Sequence, residues 1–242
     1  MRCNIVKKMM IAIAMILAVN AYADEAIRPG DYVTEGSWGE LTVKQSGTDL
    51  KFAINAVGSN AHTCDLEGVI RKHQGITESG CVVQFVKKPD RISIIVDTEM
   101  EILCHRYCGM RAWFPGDYFQ KNPQCNRASG IKDEFLKFYK AKRYQEAKQS
   151  LDGLLGTCER FLTWHFQAEV RNDLAVTLFH LGDRGACLKA LEPIKHTFID
   201  DPAETGLAFA PVDEEWGEAM FRTTRFNWKK CGGVLPEYKQ RN

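Results

Sequence analysis

Between Trp38 and Tyr107 apolar residues recur at every second position, the spacing that sends alternate side chains to one face of a strand. Leu41 and Val43 alternate with Thr42 and Lys44, and Ser46-Gly47 turns the chain into Leu50, Phe52 and Ile54, which is a hairpin pattern. Further strands are predicted at Cys64–Leu66, Cys81–Phe85 and Ile92–Val96, broken by His73-Gln74-Gly75 and Lys88-Pro89-Asp90. A sixth, shorter strand is predicted through Ile102–Tyr107, and Gly116-Asp117-Tyr118 closes the set. Short strands joined by tight turns build antiparallel sheets, so the expectation is a meander of five or six strands over residues 32–119, as a small barrel or sandwich.

After Pro123 the period lengthens to that of a helix: Phe135, Phe138 and Tyr139, then Ala147, Leu151 and Leu154, return at helical intervals. The chain therefore reads as α+β. A β domain over residues 24–120 precedes a helical domain over residues 121–242. The helical half repeats itself, since Phe138–Ala147 aligns with Leu178–Cys187 at an offset of 40 residues, placing Ala147 on Cys187 and Leu151 on Leu191. A small residue followed one turn later by a large one lets two helices of a hairpin approach closely. In this the segment resembles tetratricopeptide repeats, whose second helix typically opens with Gly-Asp-Tyr-x-x-Ala. Lys142-Arg143-Tyr144 precedes Ala147 in the first unit and Gly182-Asp183-Arg184 precedes Cys187 in the second. The offset exceeds the usual ~34 residues of that family.

The first 23 residues change the picture of where such a chain works. Arg2, Lys7 and Lys8 precede the apolar run Met9–Val19, and Ala21-Tyr22-Ala23 has the small-x-small form of a signal-peptidase site, so residues 1–23 read as a cleaved export signal. The run is shorter than the ~20 apolar residues that a membrane-spanning helix needs, so no membrane insertion is expected after cleavage. The expected compartment is oxidising, most simply a bacterial periplasm. Beyond the signal the net charge falls near −2, which argues against nucleic acid as a partner.

Eight of the nine cysteines lie beyond the signal, and in an oxidising compartment an even number reads as disulfides. In an up-and-down meander Cys64 and Cys108 fall at one end and Cys81 and Cys104 at the other, which favours Cys64–Cys108 with Cys81–Cys104 over Cys64–Cys81 with Cys104–Cys108. Helix hairpins place Cys125 beside Cys158, and a helix over about residues 213–230, antiparallel to the one beginning near Arg184, brings Cys231 toward Cys187. The competing reading is a zinc site drawn from His62, Cys64, Cys104, His105 and Cys108, disfavoured because exported cysteines pair. No metal or cofactor is expected.

Candidate chemistry is sparse. No Gly-x-Ser-x-Gly elbow, His-Glu-x-x-His helix or phosphate loop occurs, so the chain reads as non-enzymatic. Glu214, Glu215 and Glu218 crowd a helix start, where carboxylates are favoured without acid–base work. Partner-binding candidates are Arg111, Trp113 and Phe114, residue types that anchor interfaces, and Arg171 and Asp173 near the start of a predicted helix. The plainer readings are that Trp113 and Phe114 cap the sheet and pack on the helical domain, that Asp173 answers the positive helix end, and that Arg171 lies on its solvated face.

The segment Cys104, Cys108-Gly109, Arg111-Ala112, Phe114, Gly116 and Tyr118 resembles the closing motif of small disulfide-bearing β domains in exported proteobacterial proteins, some of them lysozyme inhibitors. The likeness covers about residues 30–118 and implies a non-enzymatic protein-binding role, as an inhibitor or immunity factor against a lysozyme-like or other envelope-attacking toxin. The Ser-Gly-x-x-Tyr-like loop that periplasmic C-type lysozyme inhibitors insert into the enzyme is absent from this sequence. The alternatives are a cell-envelope scaffold that holds a partner on its helical repeats, and a peptidoglycan-acting enzyme.

Overall fold

A computed structural model describes residues 26–200 and 209–236; the export signal expected over residues 1–23 lies outside them. The first half is a closed antiparallel barrel of eight strands in sequence order. They are β1 (Gly30–Thr34), β2 (Gly39–Ser46), β3 (Asp49–Val57), β4 (Thr63–Arg71), β5 (Gln74–Ile76), β6 (Val82–Lys87), β7 (Arg91–Ile95) and β8 (Gly116–Gln120), with β8 pairing back on β1. Alternation sends Leu41, Val43, Phe52, Ile54, Leu66, Val83, Phe85, Ile92, Ile94 and Tyr118 inward, and all are buried. The interior is therefore packed with side chains, with the Tyr118 hydroxyl donating to the Phe114 carbonyl at 2.6 Å.

Two differences from the sequence pattern matter. The three-residue β5 lies where a breaker is expected: the chain reverses at Lys72 and His73, both in the left-handed region at φ 47° and 64°, and Gln74–Ile76 then joins the ladder. Gly68 and Gly75 make this tight corner feasible, because a Cβ on Gly68 would lie 2.2 Å from the Ile76 carbonyl oxygen and one on Gly75 2.5 Å from Phe85. The expected strand over Ile102–Tyr107 is instead the short helix α1 (Glu101–His105) and a loop. Met100, Cys104, Tyr107 and Cys108 pack on the barrel core, a spacing of four, three and one that suits a helical turn and not a strand.

The disulfides of this half join Cys64 to Cys108 and Cys81 to Cys104. The reason differs from strand counting at the sequence level. Insertion of β5 reverses every later strand, so Cys64 at the head of β4 and Cys81 just before β6 sit at the same end of the barrel, not at opposite ends. Both bridges hold the single α1 segment across that end.

The helical half comprises α2 (Ala128–Lys140), α3 (Tyr144–Cys158), α4 (Trp164–His180), α5 (Arg184–Leu191), α6 (Lys195–Phe198) and, after residues 201–208, α7 (Glu214–Lys230). The offset of 40 residues has a structural counterpart in the turns. Lys142 N–H donates to Tyr139 O and Arg143 N–H to Phe138 O, while Gly182 N–H donates to Phe179 O and Asp183 N–H to Leu178 O. Lys142 (φ 59°) and Gly182 (φ 82°) occupy the same left-handed position that ends the first helix of each pair. Ala147, Leu151 and Leu154 of α3 and Cys187 and Leu191 of α5 pack in one core with the centre of α4. Disulfides Cys125–Cys158 and Cys187–Cys231 tie the ends of these hairpins. No helix among the described residues is long and apolar enough to cross a membrane.

Candidate partner-binding surface

The end of the barrel carrying α1 holds the most exposed apolar side chains on a constrained backbone. Ile102 is 79% exposed, Met110 82% and Trp113 36%. The segment is fixed on all sides. Cys104 and Cys108 are bridged beneath it, Tyr107 donates its hydroxyl to Thr77 Oγ1 at 2.8 Å, and Gly58 and Gly109 have no room for a Cβ against Arg111 and His62. A backbone held in this way has little conformational entropy left to lose on contact. Trp113 lies 5.7 Å from the His105 ring, nearly parallel, and 5.2 Å from Phe114. Ile102, His105, Glu101 and Trp113 line an open hollow of about 410 Å³. Exposed Arg106 and Arg111 stand on the same segment.

Of the three aromatic-patch candidates, Trp113 and Arg111 thus face solvent and Phe114 does not, being wholly inside the barrel core. Their ring pairs lie within the barrel half, Trp113 with His105 and Phe114, and Phe114 belongs to the barrel core. The contact with the helices is made elsewhere: the Ser37 hydroxyl donates to the Phe161 carbonyl, Arg160 Nε lies 2.5 Å from Glu35 Oε1, and Phe161 meets Phe119 at 6.3 Å.

Arg171 and Asp173 lie in the middle of α4, not at its start, because Thr163 caps the helix eight residues before Arg171 by accepting from Phe166 N–H. Arg171 is buried, with no solvated face; its guanidinium donates to the Ala190 carbonyl at 3.0 Å and pairs with Glu159. It is a strut between α4, the turn after α3 and α5. Neighbouring Asn172 links α4 to α7, donating to Thr224 Oγ1 at 2.8 Å and accepting from Asn227 at 3.0 Å. Asp173 faces α2, 3.8 Å from Lys132 Nζ, but that ammonium is held more closely by Glu169, which also accepts from Trp216 Nε1 at 3.3 Å. Burial, only partly answered by Lys132 and reinforced by the Glu169 carboxylate, pushes the Asp173 carboxyl up to about 6. Lys132, Glu169 and Trp216 escaped the sequence reading because three separate helices bring them together.

A scan of protein-family models, a search of curated proteins and a search of solved structures each returned no match to this chain. The chemistry must be judged on the residues themselves. Cys64, Cys104 and Cys108 are consumed in disulfides, so they are not thiolates for zinc, and no cluster of three metal-binding side chains occurs among the described residues. His165 Nε2 bonds Asp213 at 3.0 Å, but the ring is enclosed by Trp164 and Trp216 at 3.8 and 4.4 Å. This pair fastens the start of α7 onto α4. Glu214 and Glu215 occupy the first turn of α7, where the helix end favours them.

Proposed function

We propose that this chain is an exported, non-enzymatic protein-binding protein that presents the α1 end of its barrel to a protein partner. The observation that carries the reading is the exposure of Ile102, Met110 and Trp113 on a backbone pinned by two disulfides. Apolar and aromatic anchors held rigidly, with arginines at the edge, are the residues that concentrate binding energy at interfaces. The packed barrel interior supports this over a carrier of a ligand inside the barrel. The four disulfides suit the periplasm reached through the signal read over residues 1–23. Within this class the role is inhibitor or immunity factor toward a lysozyme-like or other envelope-attacking toxin, with tetratricopeptide-like helices as a second support.

The test is inhibition of cell-wall lysis by C-type and other lysozymes, titrated with the oxidised chain and with Trp113→Ala and Ile102→Asp variants. Stoichiometric inhibition lost in both variants is expected. Inhibition that survives both substitutions would move the site elsewhere, and release of cell-wall fragments by the protein alone would make it an enzyme.

A further inference from the structure

A second cleft lies at the seam between barrel and helices, far in character from the apolar α1 end. It measures about 340 Å³, within the ~300–1,000 Å³ range of small-ligand sites, and such sites favour seams of this kind. Its walls are Trp38, Arg91, Asp117, Glu35 and Phe119 from the barrel and Arg160 from the turn after α3. Trp38 is 37% exposed, and its other side is fixed edge-on against Tyr118 at 6.2 Å and against Gly116, where a Cβ would lie 3.1 Å from the indole. Thr34 Oγ1 accepts from Gly39 N–H at 2.8 Å and locks the turn that carries Glu35 and Trp38. The exposed part of a held indole thus borders the cleft.

Planar polar groups surround that exposed part. Both guanidiniums lie over the Phe119 ring, Arg160 at 3.6 Å and Arg91 at 5.6 Å from its centroid. Arg160 is paired with Glu35 at 2.5 Å. Arg91 Nε lies 2.9 Å from Asp117 Oδ2 but out of line for a hydrogen bond, leaving a buried N–H without an aligned acceptor. Asp117 is held below the usual carboxylate range by the hydroxyl of Ser93, then by Arg91 and Lys88, so it is ionised. Asp90 accepts from the terminal guanidinium nitrogen of Arg91 at 3.0 Å and Lys88 lies 3.6 Å from Asp117, so the three cations Arg91, Arg160 and Lys88 are matched by the three carboxylates Glu35, Asp117 and Asp90. A strongly anionic ligand would have to displace Glu35 or Asp117, and a cation would have to displace an arginine. What suits the set is a neutral ring with many hydroxyls: its C–H face lies on Trp38, and fixed forks of donors and acceptors take the hydroxyls in pairs.

We infer that the seam cleft bounded by Trp38, Arg91, Asp117 and Arg160 is a binding site for a neutral saccharide. The full oxidised chain is applied to a glycan array containing neutral, N-acetylated and acidic oligosaccharides, and retained glycans are titrated calorimetrically against the parent, Trp38→Ala and Arg160→Gln. Near-ultraviolet circular dichroism monitors folding of each variant. Arg160, 45% exposed in its side chain, supplies the variant least able to unfold the barrel. Retention of neutral oligosaccharides, with affinity falling by about tenfold or more in both variants, is expected from loss of a stacking face or a bidentate donor. No retained glycan, affinity in both folded variants equal to the parent's, or preference for acidic glycans and free phosphate would each overturn the assignment. It stands apart from the α1 surface, since Ile102→Asp should leave saccharide affinity unchanged.

Discussion

Asp173→Asn should stabilise the protein at neutral pH and leave it nearly unchanged in acid. Burial raises the Asp173 carboxyl from 3.8 to about 6, while Lys132 offsets this only in part because Glu169 holds the same ammonium. An acid whose folded-state pKa lies above its unfolded value binds more protons when folded, so its ionisation opposes folding. The cost is absent below about pH 4, grows between pH 4 and 6, and is complete above pH 6. A shift of that size corresponds to about 3 kcal/mol at ~1.4 kcal/mol per unit. The side chain is 30% exposed, and water at that edge reduces the figure toward about 1 kcal/mol. Asparagine has the same shape and no charge. Denaturant unfolding of parent and variant from pH 3.5 to 7.5, with the tryptophan signal as probe, cancels the groups the two share and leaves this difference. The variant should gain about 1–3 kcal/mol on the parent across that range, with the change centred near pH 5. A pH-independent difference, or a variant less stable than the parent at pH 7.5, would refute the argument.

Other outcomes follow from the turns, bridges and surfaces. Lys142→Gly should raise stability by about 0.5–1 kcal/mol and Gly182→Ala lower it by about 1 kcal/mol, because both positions are left-handed; paired denaturation curves check the opposite signs. Replacing Cys187 and Cys231 by alanine opens a loop of 44 residues and should cost the helical half about 4 kcal/mol by chain entropy. Hydrogen exchange would then show loss of protection in α4 and α7 with the barrel amides of Leu41 and Ile54 retained. Ile102→Asp and Met110→Asp, at 79% and 82% exposure, should each change stability by no more than about 0.5 kcal/mol in thermal unfolding.

Alternation revealed β2, β3, β4, β6 and β7 because their inward residues are large and apolar and their outward ones polar. It could not reveal β5, whose one inward position is Gly75, chosen by the narrow corner for having no side chain. That omission reversed the later strands in the sequence reading, and it shows how cysteines can be matched through a wrong picture of which barrel end they occupy. The α1 pattern was hidden because Ile102, the apolar residue that most suggested a strand, points to solvent. Among the candidates, Trp113 and Arg111 are exposed, whereas the burial of Phe114 depended on barrel closure. Arg171 was misplaced although the signal existed: Thr163 is an N-cap residue, and counting from it puts Arg171 two turns inside α4. The Asp173–Lys132–Glu169 group and the seam cleft had no local signal, since each draws on elements remote in sequence. The helical repeat was legible because equal turns impose an equal spacing of small and large residues.

The central claim is that the α1 end of the barrel engages a protein partner. The direct measurement is affinity capture from envelope and secreted extracts with the oxidised chain and, in parallel, with the Ile102→Asp/Met110→Asp variant, followed by titration of the purified partner. One stoichiometric protein bound by the parent and lost from the folded variant is the predicted result. Equal capture by both chains, or no partner for either, would contradict the claim.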